Sequence, residues 1–300
     1  MPHDHHHHHS AEQNIKLAFF LNFGFALIEA AGGFFTNSIA IMADALHDLG
    51  DSVTLFISWR LEKLSSRSGD QRYSYGYKRY SLLSAFIGSL ILIGGAAVVI
   101  IESVKRIRNP QPLNAEGMLI LSLLGITVNG IAAFRAGKGK NLNSRIIYLH
   151  LLEDVLGWAA VLVVSVVLMF FDIQILDPIL SIAISLFVLV NVGKNLKQTI
   201  NLFLQGVPTG IHIEQIEKAV LADDMVDGVH HTHIWSLDGE NHVLTSHVVV
   251  CPDTKKEDIR RIKEIFRKLA LDFHLAHTTI EFEYVEGDCS MNNDMETDNE

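Results

Sequence analysis

The chain has 300 residues, 49% of them apolar, and a formal net charge of −10. That acidic balance argues against nucleic acid as a partner. The two cysteines, Cys251 and Cys289, are too few for a disulfide framework and form no CxxC.

In chain order, His3 and His5 to His9 make a flexible histidine-rich N-terminal segment, either a native metal-collecting stretch or an expression tag. No secretory signal is expected, because this polar start runs straight into a full-length apolar run. Six apolar runs follow, over roughly 15–35, 39–61, 81–104, 116–136, 146–171 and 177–204. Each is long enough to cross a hydrocarbon core of about 30 Å. Thr36-Asn37-Ser38 joins the first two as antiparallel neighbours, and 172–177 joins the last two as tightly. Small residues at Gly32, Gly33, Gly94 and Gly95 are expected to let helices pack closely.

Arg60, Lys63, Arg67, Arg72, Lys78 and Arg79 follow the second run, and Arg135, Lys138, Lys140 and Arg145 follow the fourth. Lysine and arginine concentrate in cytoplasmic loops. That side of the protein is therefore assigned to the cytoplasm, with both termini there. Lys105, Arg106 and Arg108 lie on the opposite side and run against the rule.

Beyond Gly206-Val207-Pro208 the pattern becomes that of a soluble domain. Residues 211–223 have helical spacing, 228–237 and 242–250 read as strands joined by the turn Asp238-Gly239-Glu240-Asn241, and 255–273 is an amphipathic helix. A third strand begins at His277. The expected architecture is an all-α six-helix transmembrane domain followed by a small cytoplasmic α+β domain of order αββαβ, ferredoxin-like. The boundaries are 1–13 for the histidine-rich segment, 14–206 for the membrane domain, 207–286 for the soluble domain and 287–300 for an acidic disordered tail.

The second run carries Asp44, His47, Asp48 and Asp51 at i, i+3, i+4 and i+7, one stripe of a helix. The fifth run carries His150 and Asp154 at i, i+4. Each ionisable group in a span costs about 2.5–3.5 kcal/mol on insertion scales, so such residues mark function by default. Two histidines and two aspartates, His47, Asp51, His150 and Asp154, make a nitrogen and oxygen set suited to tetrahedral Zn²⁺. Co²⁺, Ni²⁺ and Fe²⁺ fit less decisively. Asp44 is read as a support behind the ligands and Asp48 as facing water at the end of the span. Ligands must shed protons to bind metal, so a site open to each side in turn would exchange Zn²⁺ for H⁺. Asn22 and Glu29 in the first run either line the path or bond between helices.

"GFFTNSIAIMADALHDLGD", "RYSYGYKRYSLLSAFI", "YLHLLEDVLG", "LDPILSIAIS" and "LFLQGVP" together resemble the cation diffusion facilitator family of zinc transporters, over about residues 12 to 285. The resemblance implies a homodimer, metal/proton antiport out of the cytoplasm, and His47, Asp51, His150 and Asp154 as the transport site. It also implies a regulatory Zn²⁺ in the cytoplasmic domain, with His230, His247, His277 and Glu283 carried over as ligands and His233 as a further candidate. On strand alternation His231 and His233 share one face and His230 faces the other way. A loop metal site found in some members is not expected, because Tyr73 and Tyr77 stand where histidines would be needed beside Asp70.

The function expected is therefore a proton-coupled exporter of divalent metal, chiefly Zn²⁺, seated in a lipid bilayer. Its compact loops and short chain point to a bacterial inner membrane. The alternatives are the same fold moving Co²⁺, Cd²⁺, Ni²⁺ or Fe²⁺, and a membrane-anchored metal sensor, against which stands the lack of an output module. No HExxH or other catalytic set is present, so no enzyme is expected.

Overall fold

A computed structural model describes residues 6–138 and 142–284. The chain forms two compact units, one of residues up to 64 with 83–197 and one of residues 65–82 with those from 198 onward.

The first unit is built from six long helices: α1 (His6–Thr36), α2 (Ile39–Ser65), α3 (Arg79–Arg108), α4 (Ala115–Ala136), α5 (Leu142–Phe170) and α6 (Leu176–Phe203). In lipid every backbone N–H and C=O must be satisfied within the segment, which leaves the helix as the form for these runs. All but α2 are long and apolar enough to cross a membrane. In α2 the aspartates at 44, 48 and 51 break the apolar run, although at 27 residues it has the length. Phe20, Phe34, Phe35, Ile120, Phe134 and Phe170 are 66–78% exposed on the outside of this unit. Water would penalise that surface, whereas acyl chains match it. The protein is thus a multi-pass membrane protein. Helix α1 begins at His6 and takes in residues 6–13, for which flexibility was the expectation. Residues 1–5, Cys289 and the acidic tail lie outside the described residues.

One end of α2 is held by a buried carboxylate from far along the chain. Asp177, in the first turn of α6, accepts hydrogen bonds from Ser38 Oγ at 2.5 Å, the Ile39 N–H at 2.7 Å and the Ala40 N–H at 3.3 Å. These are the donors that a helix start leaves without intrahelical partners. Arg106 donates to the Asn37 carbonyl in the same turn, and Lys105 pairs with Glu102 at 3.1 Å. So two of the three basic residues that oppose the orientation rule are engaged locally, which weakens their vote.

Helix packing corrects the expectation for two glycines. A Cβ on Gly94 or Gly95 would meet nothing within 4 Å, so neither serves a close contact among the described residues of one chain. Gly33 does, with the Met42 backbone nitrogen 3.0 Å from where its Cβ would stand. The tightest approach falls at Gly125 of α4, where a Cβ would lie 2.2 Å from the indole of Trp158 in α5. Trp158 is the centre of the apolar cluster with Ala40, Ile41, Met118 and Val161.

The second unit contains α7 (Ile213–Val220), β1 (Val226–Ser236), β2 (His242–Val250), α8 (Lys256–Asp272) and β3 (Leu275–Glu283), the expected αββαβ order. The sheet runs β1-β2-β3, with β1 antiparallel and β3 parallel to β2. Ile216 and Val220 of α7 pack with Ile262, Phe266 and Leu269 of α8 against Ile234, Leu244 and Val248 of the sheet. Both helices therefore cover one face, and the residues that alternate with these inward ones lie on the other. Arg261 of α8 binds Asp223 through two hydrogen bonds of 2.6 and 2.8 Å, which holds that carboxyl below its usual pKa. The hairpin turn is braced by Asp238, which accepts from the N–H groups of Glu240 and Asn241.

In the 65–82 segment, Asp70 accepts from the N–H groups of Arg72 and Tyr73 and from the Tyr77 hydroxyl, each at 2.8 Å. These bonds lower its pKa and make it a loop brace.

Candidate metal centre

Helix periodicity puts His47 one turn before Asp51 on α2 and His150 one turn before Asp154 on α5. The fold then faces the two stripes towards each other. Asp51 Oδ2 lies 3.3 Å from His150 Nε2 and 3.7 Å from His47 Nε2. Asp154 Oδ2 lies 4.0 Å from His150 Nε2. The two imidazole centroids are 6.0 Å apart.

These separations can be compared with what an ion requires. Donors at about 2.0–2.1 Å from a tetrahedral Zn²⁺ stand roughly 3.3 Å from one another. The Asp51–His150 edge has that length already, and the other two exceed it by amounts that side-chain rotation can close. Asp51 is the shared member, bridging the histidines of two helices. The four residues line a cavity of about 510 Å³, together with Asp44 and Asn191.

The remaining polar residues of α2 are placed differently from expectation. Asp48 is only 6% exposed, so it does not face water at the end of the span. It groups with His47 and Asp154, the donor atoms of the three lying within 4.8 Å of one another. Asp44 is buried on the same helix and lines the cavity. Glu29, on α1, is 1% exposed and neither of its carboxylate oxygens has a hydrogen-bond partner among the described residues apart from the neighbouring Asp48 carboxyl. The signal in the sequence was an acidic residue inside an apolar run. Its spacing could not say which helix it would meet.

The soluble domain brings together a second group. His230, His247 and Glu283 offer donor atoms within 4.8 Å of one another. Glu283 lies 2.7 Å from His247 Nδ1 and 3.2 Å from His230 Nε2. His230 Nε2 and Glu283 Oε2, buried and facing each other, are not aligned as a hydrogen bond, and neither has another hydrogen-bond partner among the described residues. Two nitrogens and a carboxylate oxygen that meet yet leave donors idle fit a metal ion. Glu281 stands at the rim, 3.6 Å from His247 Nε2.

The expectation that His230 faces away from its neighbours is overturned by a β-bulge. The register of β1 against β2 shifts between His230 and His233, and His231 has φ 46°. One extra residue there resets the alternation. His230 pairs with His247, His233 pairs with Thr245, and the His231 ring comes within 5.3 Å of that of His247. His231 is thus a neighbour of the cluster that strict alternation hid. His233 is exposed at its side. His277, carried over with the ligands, stands apart on β3 with its ring 5.1 Å from that of Tyr75.

Comparison with known proteins follows the same division of the chain. The profile of the cation efflux transmembrane domain matches residues 15–204, and that of the cation efflux protein cytoplasmic domain matches 208–285. Metal cation efflux system protein CzcD of Cupriavidus metallidurans is 32% identical over 284 residues, which cover 94% of this chain and 89% of that protein. Zinc transporter ZitB of Escherichia coli is 31% identical over 290 residues, covering 94% and 92%. The cadmium, cobalt and zinc/H(+)-K(+) antiporter of Bacillus subtilis is 31% identical over 290 residues, again covering 94% and 92%.

Proposed function

Because the chain belongs to the cation efflux (cation diffusion facilitator) family, we propose that it exchanges a divalent metal ion for protons across a membrane, with Zn²⁺ as the preferred cargo. The observation that carries this reading is the Asp51 carboxylate held between His47 and His150, on two different spanning helices. Relatives named as zinc transporters and as an antiporter of cadmium, cobalt and zinc support the cargo and the exchange.

The chemistry follows from the donors. His47 and His150 bind metal only when neutral, and Asp51 and Asp154 only when ionised. Protons and metal therefore compete for one set of atoms. On the side where protons are plentiful, they displace the metal; on the other side, metal displaces them. Two imidazoles with two carboxylates suit Zn²⁺ better than an all-oxygen set would, and they leave Co²⁺ and Cd²⁺ as weaker cargoes.

The remaining parts of the reading are that both termini lie in the cytoplasm of a bacterial cell, that the membrane is the inner one, and that the protein works as a homodimer. His230, His247 and Glu283 would hold a resident metal ion in the cytoplasmic domain, where it would neutralise the buried Glu283 charge and tie β1, β2 and β3 together. Glu283→Gln keeps the shape but loses the charge. It is expected to weaken zinc binding at that one class of site about 100-fold while leaving metal capture in the membrane intact. Zinc titration of the full chain reads this as one class lost, and an unchanged titration would reject the assignment.

The transport reading is tested in proteoliposomes carrying a zinc indicator and a pH dye. Zinc entry is expected to alkalinise the lumen in proportion to the flux. Zinc flux with no proton movement would sink the exchange mechanism.

A further inference from the structure

The α2 stripe continues past the four donors of the transport site, and so does the burial. Asp48 and Asp44 are 6% and 9% exposed, and Glu29 from α1 is 1% exposed. Asn22, two turns before Glu29 on the same face of α1, donates to the Asp48 carbonyl at 2.9 Å and to Ser52 Oγ at 3.0 Å. Those bonds hold this face of α1 against α2 at the level of Asp48. The Glu29 side chain lies against that of Asp48. Apart from the neighbouring Asp48 carboxyl, no group among the described residues reaches either Glu29 oxygen. His47 Nδ1 is likewise buried without a hydrogen-bond partner among them.

Carboxyl groups crowded together away from water either hold protons or share a cation, so a divalent ion arriving there would replace protons. The geometry that repeats is a triad: His47, Asp51 and His150 form one, and His47, Asp48 and Asp154 form another. His47 belongs to both.

We propose that His47, Asp48 and Asp154, with Glu29 against Asp48, form a second metal position that shares His47 and Asp154 with the transport site and lies one step along its path. Asp48 precedes Asp51 by three residues, about 4.5 Å along the helix axis. A divalent ion passes from the first position to the second by exchanging Asp51 and His150 for Asp48 and Glu29, while His47 and Asp154, which both positions share, keep hold of it. The ion exchanges nitrogen and oxygen donors for a mostly carboxylate set. The second position therefore holds Zn²⁺ less tightly than the first, as an intermediate station must if the ion is to leave. Asp44, one turn further along α2, lies on the same line.

This rests on the reading of the α2/α5 site as the transport site, and the test separates the two. Zinc itself is the probe, titrated against the full-length protein, with transport measured in proteoliposomes. Asp51→Ala breaks the first position and is expected to retain one weaker intramembrane ion per chain. Asp51→Ala combined with Asp48→Asn, or with Glu29→Gln, is expected to lose it. The cytoplasmic sites are common to all three proteins and cancel in the comparison. As single changes, Asp48→Asn and Glu29→Gln are expected to lower kcat at least tenfold and to leave KM within threefold of wild type. Equal zinc content in Asp51→Ala and both double variants would overturn the proposal. So would wild-type kcat in both single variants, or a loss of zinc capture in them matching that of Asp51→Ala. Wild-type transport by Asp51→Ala would instead defeat the transport-site reading itself.

Discussion

Asp51→Ala is expected to lower zinc transport by more than about 100-fold, the largest effect of any single change among the four donors. Its carboxylate stands 3.3 Å from His150 Nε2 and 3.7 Å from His47 Nε2, so it is the group common to both helices. Removing it leaves two imidazoles whose ring centroids are 6.0 Å apart without the carboxylate that bridges them most closely. Even partners that only orient a ligand contribute about 10–100-fold to metal affinity, and a bridging ligand contributes more. Asp154 lies further from His150, at 4.0 Å, and Asp154→Ala is expected to follow with a smaller loss. The measurement is initial zinc flux in proteoliposomes at equal protein content. Asp70→Ala serves as a control, since that carboxylate braces a loop outside the cluster. Flux in Asp51→Ala equal to that of wild type would remove Asp51 from the site.

Asp177→Ala is expected to disable the protein without touching any metal donor. The Asp177 carboxylate is the acceptor for Ser38 Oγ and the Ile39 and Ala40 N–H groups at the start of α2. It is fully buried, and inside a bilayer no water replaces it. A buried donor left unsatisfied costs about 1–3 kcal/mol. The start of α2 sets the depth and rotation of Asp44, His47, Asp48 and Asp51. Loosening it shifts the whole stripe relative to α5. Asp177→Asn retains one carbonyl acceptor and should lie between wild type and alanine. Thermal unfolding in detergent, followed by size-exclusion chromatography, gives the order wild type, Asn, Ala. A melting temperature for the alanine variant equal to that of wild type would show that the clamp contributes nothing to stability.

Local periodicity made much of the molecule readable. Six long helices, the αββαβ order and the paired stripes His47/Asp51 and His150/Asp154 all follow from spacings within one element. A helix brings i and i+4 to one face whatever surrounds it. The core of the soluble domain was readable for the same reason, since Ile262, Phe266 and Leu269 repeat at helical spacing and are buried together.

Contacts between elements distant in the chain, and departures from regular period, were not decided by the amino-acid order. Asp177 reaches a helix start 138 residues away, and nothing near either residue announces the other. Glu29 could be recognised as costly but not assigned a partner until α1 was seated beside α2. His231 was placed by a bulge, which alternation cannot foresee because the extra residue depends on how β1 pairs with β2. Gly125 proved the close approach and Gly94 and Gly95 did not, because only the docked helix shows where Trp158 falls. The sequence by itself determined which residues could bind a metal ion and on which helical face each stands. Only the tertiary structure decided which of those faces meet, because that depends on packing between segments far apart in the chain.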